Sequence, residues 1–445
     1  MSKNILELPA PKADLQLGHL VELGRDPIGF WMSCAKEYGD IVPLRLGKIP
    51  ACLIRDPKLI EQVLCDRTSF VKGEDYQILE DMFGKGLVTS DGDLWKRQRK
   101  LIQPLFLQER IANYAEIMVD YTEKMLNTWS DGETIDISAE MMHITLNIAM
   151  KTIFNQDLTN DEAKIVAEAL NLGMNWYESK RKQGFIFDRN NPTEEDLRYQ
   201  QAFAQVDRAI YETLEHKRKN PESSGDLLSL LMEVRDENGS KMSDRQLRDE
   251  AVTMILAGHE TTCNTLSWTW MLLSKNPQVR AKLQQELEEV LGNKKPTAAD
   301  YSRLHYTKMV IKESMRLYPA VVDISRQAIR ECHLGDYKIP AGCIVMMSQW
   351  VSHRNPDYFP DPETFNPDRW ANDLEKHLPK GVYFPFGDGQ RICIGKGFAL
   401  MEAVLLLARI SQKFQLDLLP NHPIIPQPSI TLRPEKGMQV VLNKR

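Results

Sequence analysis

The sequence predicts a mainly α fold in a single domain, with a minor, mostly antiparallel β portion. Three observations lead there. Helical patterns follow one another from Trp95 to Lys219. An apolar helix of about thirty residues, long for a globular protein, runs from Ser243 to Asn276-Pro277. The strand-like runs lie toward the two ends of the chain, which makes one folding unit of residues 1–445.

The elements can be taken in order. Ile41–Leu46 and Ala51–Ile54, split by Gly47-Lys48-Ile49-Pro50, read as a hairpin. Asp56-Pro57 supplies a cap and a first-turn proline for a helix over Lys58–Leu64. Val71–Asp93 shows little periodicity and is expected to be a long loop. Helices are expected over Trp95–Phe106, Glu109–Trp129, Ala139–Phe154, Asp161–Glu178 and Glu194–Lys219. Ser243 is a suitable N-cap for the long helix, and Pro277 cannot continue it. The middle of that helix, Ala251–Leu273, is apolar on most faces, as in a helix buried through a domain. His259, Glu260 and Asn264 within it speak against a membrane span. Helices over Val279–Leu291 and Met309–Tyr318, short strands within Val322–Gln349, an irregular proline-rich stretch Asn355–Trp370, a glycine-rich loop Phe386–Gly395 and a helix over Phe398–Lys413 complete the chain.

Composition narrows the function classes. The chain of 445 residues is 42% hydrophobic and 27% charged, which excludes collagen-like, low-complexity and disordered proteins. With 56 Lys+Arg against 62 Asp+Glu the net charge is −6, and no basic excess is left for a nucleic-acid partner. Seven scattered cysteines have no zinc-site spacing and suit a reducing compartment. Met1–Leu20 lacks an apolar signal core, and no stretch is apolar for the length a bilayer requires. The sequence therefore reads as soluble and cytoplasmic, without a transmembrane anchor.

The strongest chemical signal is Phe386-Gly387-Asp388-Gly389-Gln390-Arg391-Ile392-Cys393-Ile394-Gly395. Glycines permit tight backbone paths and close approaches. Cys393, just before a helix and two residues from Arg391, is placed where a thiolate is favoured. An anionic sulfur in an apolar loop suits a soft metal or a haem iron. A lone buried cysteine is more often structural; the complete pattern reverses that judgement. It resembles the haem-ligand loop of the cytochrome P-450 family, Phe-x-x-Gly-x-Arg-x-Cys-x-Gly, at every specified position. The resemblance implies that Cys393 is the proximal ligand of haem b, that Phe386 packs beside the thiolate and that Arg391 binds a propionate.

Ala257-Gly258-His259-Glu260-Thr261-Thr262 lies in the long helix. A mid-helix glycine costs about 1 kcal/mol relative to alanine and marks a close contact or a distortion. Ala257 and Gly258 leave a shallow surface for a flat ligand, and Glu260 beside Thr261 pairs a proton source with a hydroxyl. This is similar to the family's oxygen-binding helix, in which Thr261 would stabilise bound oxygen and Glu260 would deliver protons. His259 is read as structural.

Glu313 and Arg316 share a helix face within apolar sequence, which suggests a buried pair. The family's counterpart is completed by an Arg from a proline-rich segment, here Arg369, in a structural role. Trp95 and Arg99 also share a face, and together with Arg326 they match haem-propionate ligands of the family. Gln98 replaces the His that many members carry there. By analogy the substrate pocket takes in Val71–Val88, Met254, Ala257, Val321, Val322 and Asp323, and a lid over Leu172–Phe187, with Trp176, Tyr177 and Phe185, gates entry. Lys96, Arg97, Lys100 and Lys396 form a candidate docking face for an acidic electron donor.

Taken together, the resemblance implies a monooxygenase that inserts one atom of O2 into a fatty acid, terpenoid or steroid-like molecule. Electrons would come from a separate ferredoxin or flavodoxin with its reductase, because no flavin or nicotinamide fingerprint is present and no reductase is fused. A monomer is expected. The alternatives are a peroxygenase, an isomerase or dehydratase of the same fold, and a non-enzymatic haem sensor.

Overall fold

The computed structural model describes residues 3–73, 76–157, 160–183, 191–220 and 225–445. Its axis is the helix Asp244–Lys275. Ser243 caps it: its hydroxyl accepts the Gln246 N–H at 3.3 Å, and the Gln246 side chain accepts the Ser243 N–H at 3.1 Å. The helix packs chiefly against Ile137–Phe154 and is further enclosed by His305–Leu317 and Lys396–Lys413. Burial on almost every side explains why it lacks a clean polar face. Two of the polar groups in its middle have partners close by. His259 Nδ1 lies 2.6 Å from the Ile255 carbonyl, and the Asn264 amide donates to Thr431 at 3.1 Å.

The largest sheet runs, in spatial order, Ile41–Leu46, Ile49–Ile54, Ile344–Met347, Ile324–Ala328 and Phe70–Val71. Its pairings are antiparallel except between Ile49–Ile54 and Ile344–Met347. The expected hairpin is its first pair. A second sheet joins Phe414–Leu418, Gln439–Lys444 and Thr134–Asp136. Lys3–Asn4 pairs in parallel with Tyr337–Ile339. Strands distant in sequence thus close on one another, and the fold is mainly α with a minor, mostly antiparallel β part, as predicted. No helix among the described residues is long and apolar enough to cross a membrane.

One expectation fails. The segment expected to be a loop up to Asp93 contains the helix Gln77–Phe83, and the next helix already begins at Gly92. Ile78, Leu79, Met82 and Phe83 are all buried, and Gly84, at φ +60°, ends the turn. So short a helix draws its stability from tertiary burial, which periodicity over seven residues does not reveal.

A buried ion network ties the fold to the cysteine loop. Glu313 and Arg316 are fully buried and joined by two bonds of 2.9 Å. Arg369 Nε at 2.8 Å and the Trp370 indole N–H at 2.8 Å also donate to Glu313. Arg316 donates to the His353 carbonyl at 3.0 Å, and His353 Nε2 accepts the Phe384 N–H at 3.0 Å, two residues before Phe386. The three residues grouped from sequence therefore form one cluster that reaches the loop.

Removing Glu313 strands two arginines. Glu313→Ala is expected to lower the unfolding free energy by about 3–5 kcal/mol. Lys100→Ala, at an exposed pair with Glu237, should leave the denaturation midpoint nearly unchanged. Chemical denaturation followed by circular dichroism checks both.

Candidate active site

A cavity of about 830 Å³ separates the central helix from the cysteine loop. Met254, Ala257, Gly258, Thr261, Thr262 and Thr265 line one side, and Phe386, Gly387, Arg391, Cys393 and Gly395 line the other. The loop reaches this place through its glycines. Gly387 and Gly389 adopt φ +68° and +65°, and a Cβ at Gly389 would lie 2.4 Å from the Leu64 carbonyl oxygen. Cys393 N–H donates to Phe386 O at 2.9 Å, which closes the loop, and the helix Lys396–Lys413 begins three residues later. Cys393 is exposed toward the cavity. Desolvation pushes its thiol up, while N–H groups of Gly395 and Lys396 and the charges of Arg99 and Lys396 pull it down.

Four arginines line the cavity, and one of them, Arg181, is paired with Glu178. Arg391 pairs with Asp91, donates to Ser90 O at 3.0 Å and stacks over the Trp95 ring at 4.4 Å. Arg99 donates to Ile392 O at 2.8 Å, and Arg326 donates to Ser325 O at 2.7 Å. Among the described residues neither Arg99 nor Arg326 has a carboxylate partner. Gln98 is turned away: it bonds Ser90 Oγ at 2.6 Å and Lys85 O at 2.7 Å, holding the preceding loop.

On the central helix Thr261 faces the cavity, with its hydroxyl on the Ala257 carbonyl at 2.9 Å. A Cβ at Gly258 would meet nothing within 4 Å, so the helix is bare there. Glu260 is buried and points elsewhere, accepting from Arg433 Nε and Thr431 Oγ1, each at 2.5 Å. Desolvation pushes its carboxyl up, but Arg433, with help from His259 and Thr431, holds it below its ordinary value. The structure thus brings the two partners adjacent in sequence while aiming only one at the cavity.

A model of the family described as cytochrome P-450 matches residues 8–442. The chain belongs to the cytochrome P-450 family. Cyclooctatin synthase of Streptomyces melanosporofaciens is 34% identical, over 93% of this chain and 91% of that protein. Cyclooctat-9-en-7-ol 5-monooxygenase of the same organism is 34% identical over 93% and 90%. Pentalenene oxygenase of Streptomyces avermitilis is 30% identical over 98% and 97%. This cytochrome P-450 is accordingly a haem-dependent monooxygenase, and its family uses a cysteine thiolate as iron ligand. The residues present fit that group. A sulfur and a bare helix stretch face each other across the cavity, and two arginines without carboxylate partners offer charge for a dianionic rim.

Of the sequence-derived pocket residues, Met254, Ala257, Val321, Val322 and Asp323 line the cavity, as do Lys72, Tyr76, Leu79, Leu87 and Val88 from the preceding loop region. Tyr177 lines it too, whereas Trp176 stacks on Tyr199 at 4.3 Å; Phe185 falls outside the described residues. On the surface Lys96, Arg97, Lys100 and Lys396 pair with Asp93, Asp236, Glu237 and Glu375. Sequence reasoning missed Asp91, Arg433, Glu250 and the turn Pro428–Ile430. None has a spacing signal, because their partners lie far away along the chain.

Because Glu260 is held below its ordinary value, its ion pair stabilises the fold above that ordinary value and is lost as pH falls through the lower folded one. In Arg433→Gln the chief opposing charge is gone, desolvation outweighs what His259 and Thr431 still supply, and the sign reverses. The gap in thermal midpoint between wild type and Arg433→Gln should widen from about pH 5 to about pH 7. Calorimetric scans over that range check it.

Proposed function

We propose that this cytochrome P-450 hydroxylates or epoxidises a terpenoid, taking electrons singly from a separate ferredoxin or flavodoxin. The observation that carries the reading is the single cavity in which Cys393 faces Ala257, Gly258 and Thr261 across apolar walls. The names of three relatives support the substrate class, and cyclooctat-9-en-7-ol is itself an alcohol.

Haem, when bound, activates O2 so that one oxygen atom enters a C–H or C=C bond and the other leaves as water. Cys393 would hold the iron as thiolate, with Phe386 covering the loop beside it. Arg99, Arg326 and Arg391 would bind the propionates, Trp95 bracing Arg391 from its other face. Met254, Val321, Val322 and Met346 would exclude water and orient the apolar substrate. Thr261 would present a proton at Oγ1 to the cavity. Glu260, one residue behind it, would exchange protons with that hydroxyl once its contact with Arg433 opens. Lys96, Arg97, Lys100 and Lys396 would receive the electron donor by exchanging their present surface carboxylates for the partner's. Seven free cysteines support a reducing, cytoplasmic setting, and residues 1–445 act as one unit in this reading.

Two measurements test it. The reduced, carbon-monoxide-bound protein should show the Soret band of thiolate ligation, absent in Cys393→Ala; a wild-type protein without that band overturns the reading. Thr261→Ala should keep the band but divert most of the consumed oxygen to peroxide or water, read as product formed per NADH oxidised.

A further inference from the structure

We propose that Glu250 is a polar anchor of the substrate cavity, binding a hydroxyl group already present on an otherwise apolar terpenoid. The inference rests on the reading above and narrows its substrate class.

The local packing puts this carboxyl where water is scarce. Gly84 and Gly86 let the loop before the Trp95 helix press against the first turns of the central helix. A Cβ at Gly84 would lie 2.1 Å from Asp249 Oδ1, and one at Gly86 would lie 2.1 Å from Thr253 Oγ1. The Lys85 N–H donates to Asp249 at 2.9 Å, and the Leu87 N–H donates to Glu250 Oε2 at 3.1 Å. Asp249 is further bonded by Arg248 at 2.9 Å. Glu250 receives only the one backbone bond. Its residue is 1% exposed, it lines the cavity, and its second oxygen, Oε1, is buried without a partner among the described residues.

An unpaired buried oxygen is costly unless something pairs it. The cavity lining as a whole is predominantly apolar, and a polar group on the ligand can supply the missing partner. Desolvation, opposed by the Leu87 N–H and assisted by Asp249, pushes the Glu250 carboxyl up to about 8. At neutral pH it is therefore mostly protonated, with an O–H to donate and a carbonyl oxygen to accept. An alcohol answers both, and a hydrocarbon answers neither.

The anchor also sets a length. Glu250, Met254, Ala257 and Thr261 follow at helical spacing and all line the cavity. From Glu250 to Ala257 is seven residues, about 10 Å along the axis at 1.5 Å each. A rigid polycyclic skeleton held at Glu250 by one oxygen would place a carbon at the other end of its ring system against Ala257 and Gly258. This selects substrates whose hydroxyl and reacting carbon lie at opposite ends.

The test is isothermal titration calorimetry of the haem-loaded protein with two probes that share a ring skeleton, dehydroabietane and its alcohol dehydroabietinol. Wild type should bind the alcohol about tenfold more tightly than the hydrocarbon. Glu250→Leu should erase the preference while retaining the hydrocarbon's affinity, and Glu250→Gln should keep part of it. Equal binding of both probes by wild type, or a preference that survives in Glu250→Leu, overturns the anchor and leaves the monooxygenase reading intact. Binding of neither probe overturns the terpenoid reading together with it.

Discussion

Everything in this molecule depends on keeping positive charge and a sulfur atom together inside an apolar interior. Arg99, Arg326 and Arg391 line the same cavity as Cys393, and of these three only Arg391 has a carboxylate partner among the described residues, Asp91. Such an arrangement is expensive unless the chain around it is rigid and its remaining hydrogen bonds are made. The rigidity comes from two sources. Gly389 lets the cysteine loop lie against the Leu64 carbonyl, closer than any side chain would allow. The buried Glu313–Arg316–Arg369 cluster then fixes the loop's approach through His353 and Phe384.

Opposite the sulfur, the central helix divides its labour by face. Apart from Met254, its cavity stripe carries small or hydroxyl-bearing residues from Thr253 to Thr265, which leaves open space opposite the sulfur. Its buried faces carry Glu260, whose charge is answered by Arg433, and His259, whose ring nitrogen is answered by the helix's own Ile255 carbonyl. The acid next to Thr261 is thus stored as an ion pair with the C-terminal hairpin. The same hairpin contributes Pro428–Ile430 to the cavity lining, so part of the cavity wall and the partner of Glu260 sit on one element.

Much of this was legible in the sequence, for identifiable reasons. The long helix carries its own capping signal at Ser243 and stops at Asn276-Pro277. The cysteine loop is contiguous, so ten residues suffice to show it, and Glu313 with Arg316 obeys helical spacing. What could not be read depends on contacts between distant segments. The helix Gln77–Phe83 exists because the core receives Met82 and Phe83. Asp91 meets Arg391 across 300 residues, and Glu260 meets Arg433 across 173. Glu250 lies just outside the apolar stretch of its helix, where a charged residue usually means solvent. Only the folded loop at Gly84–Leu87 shows that it is enclosed.

The most direct measurement is X-ray absorption at the iron edge of the haem-loaded protein. The account predicts one sulfur neighbour in the first coordination sphere of wild type, lost when Cys393 is changed to Ser. A wild-type spectrum that required only nitrogen and oxygen neighbours would contradict it.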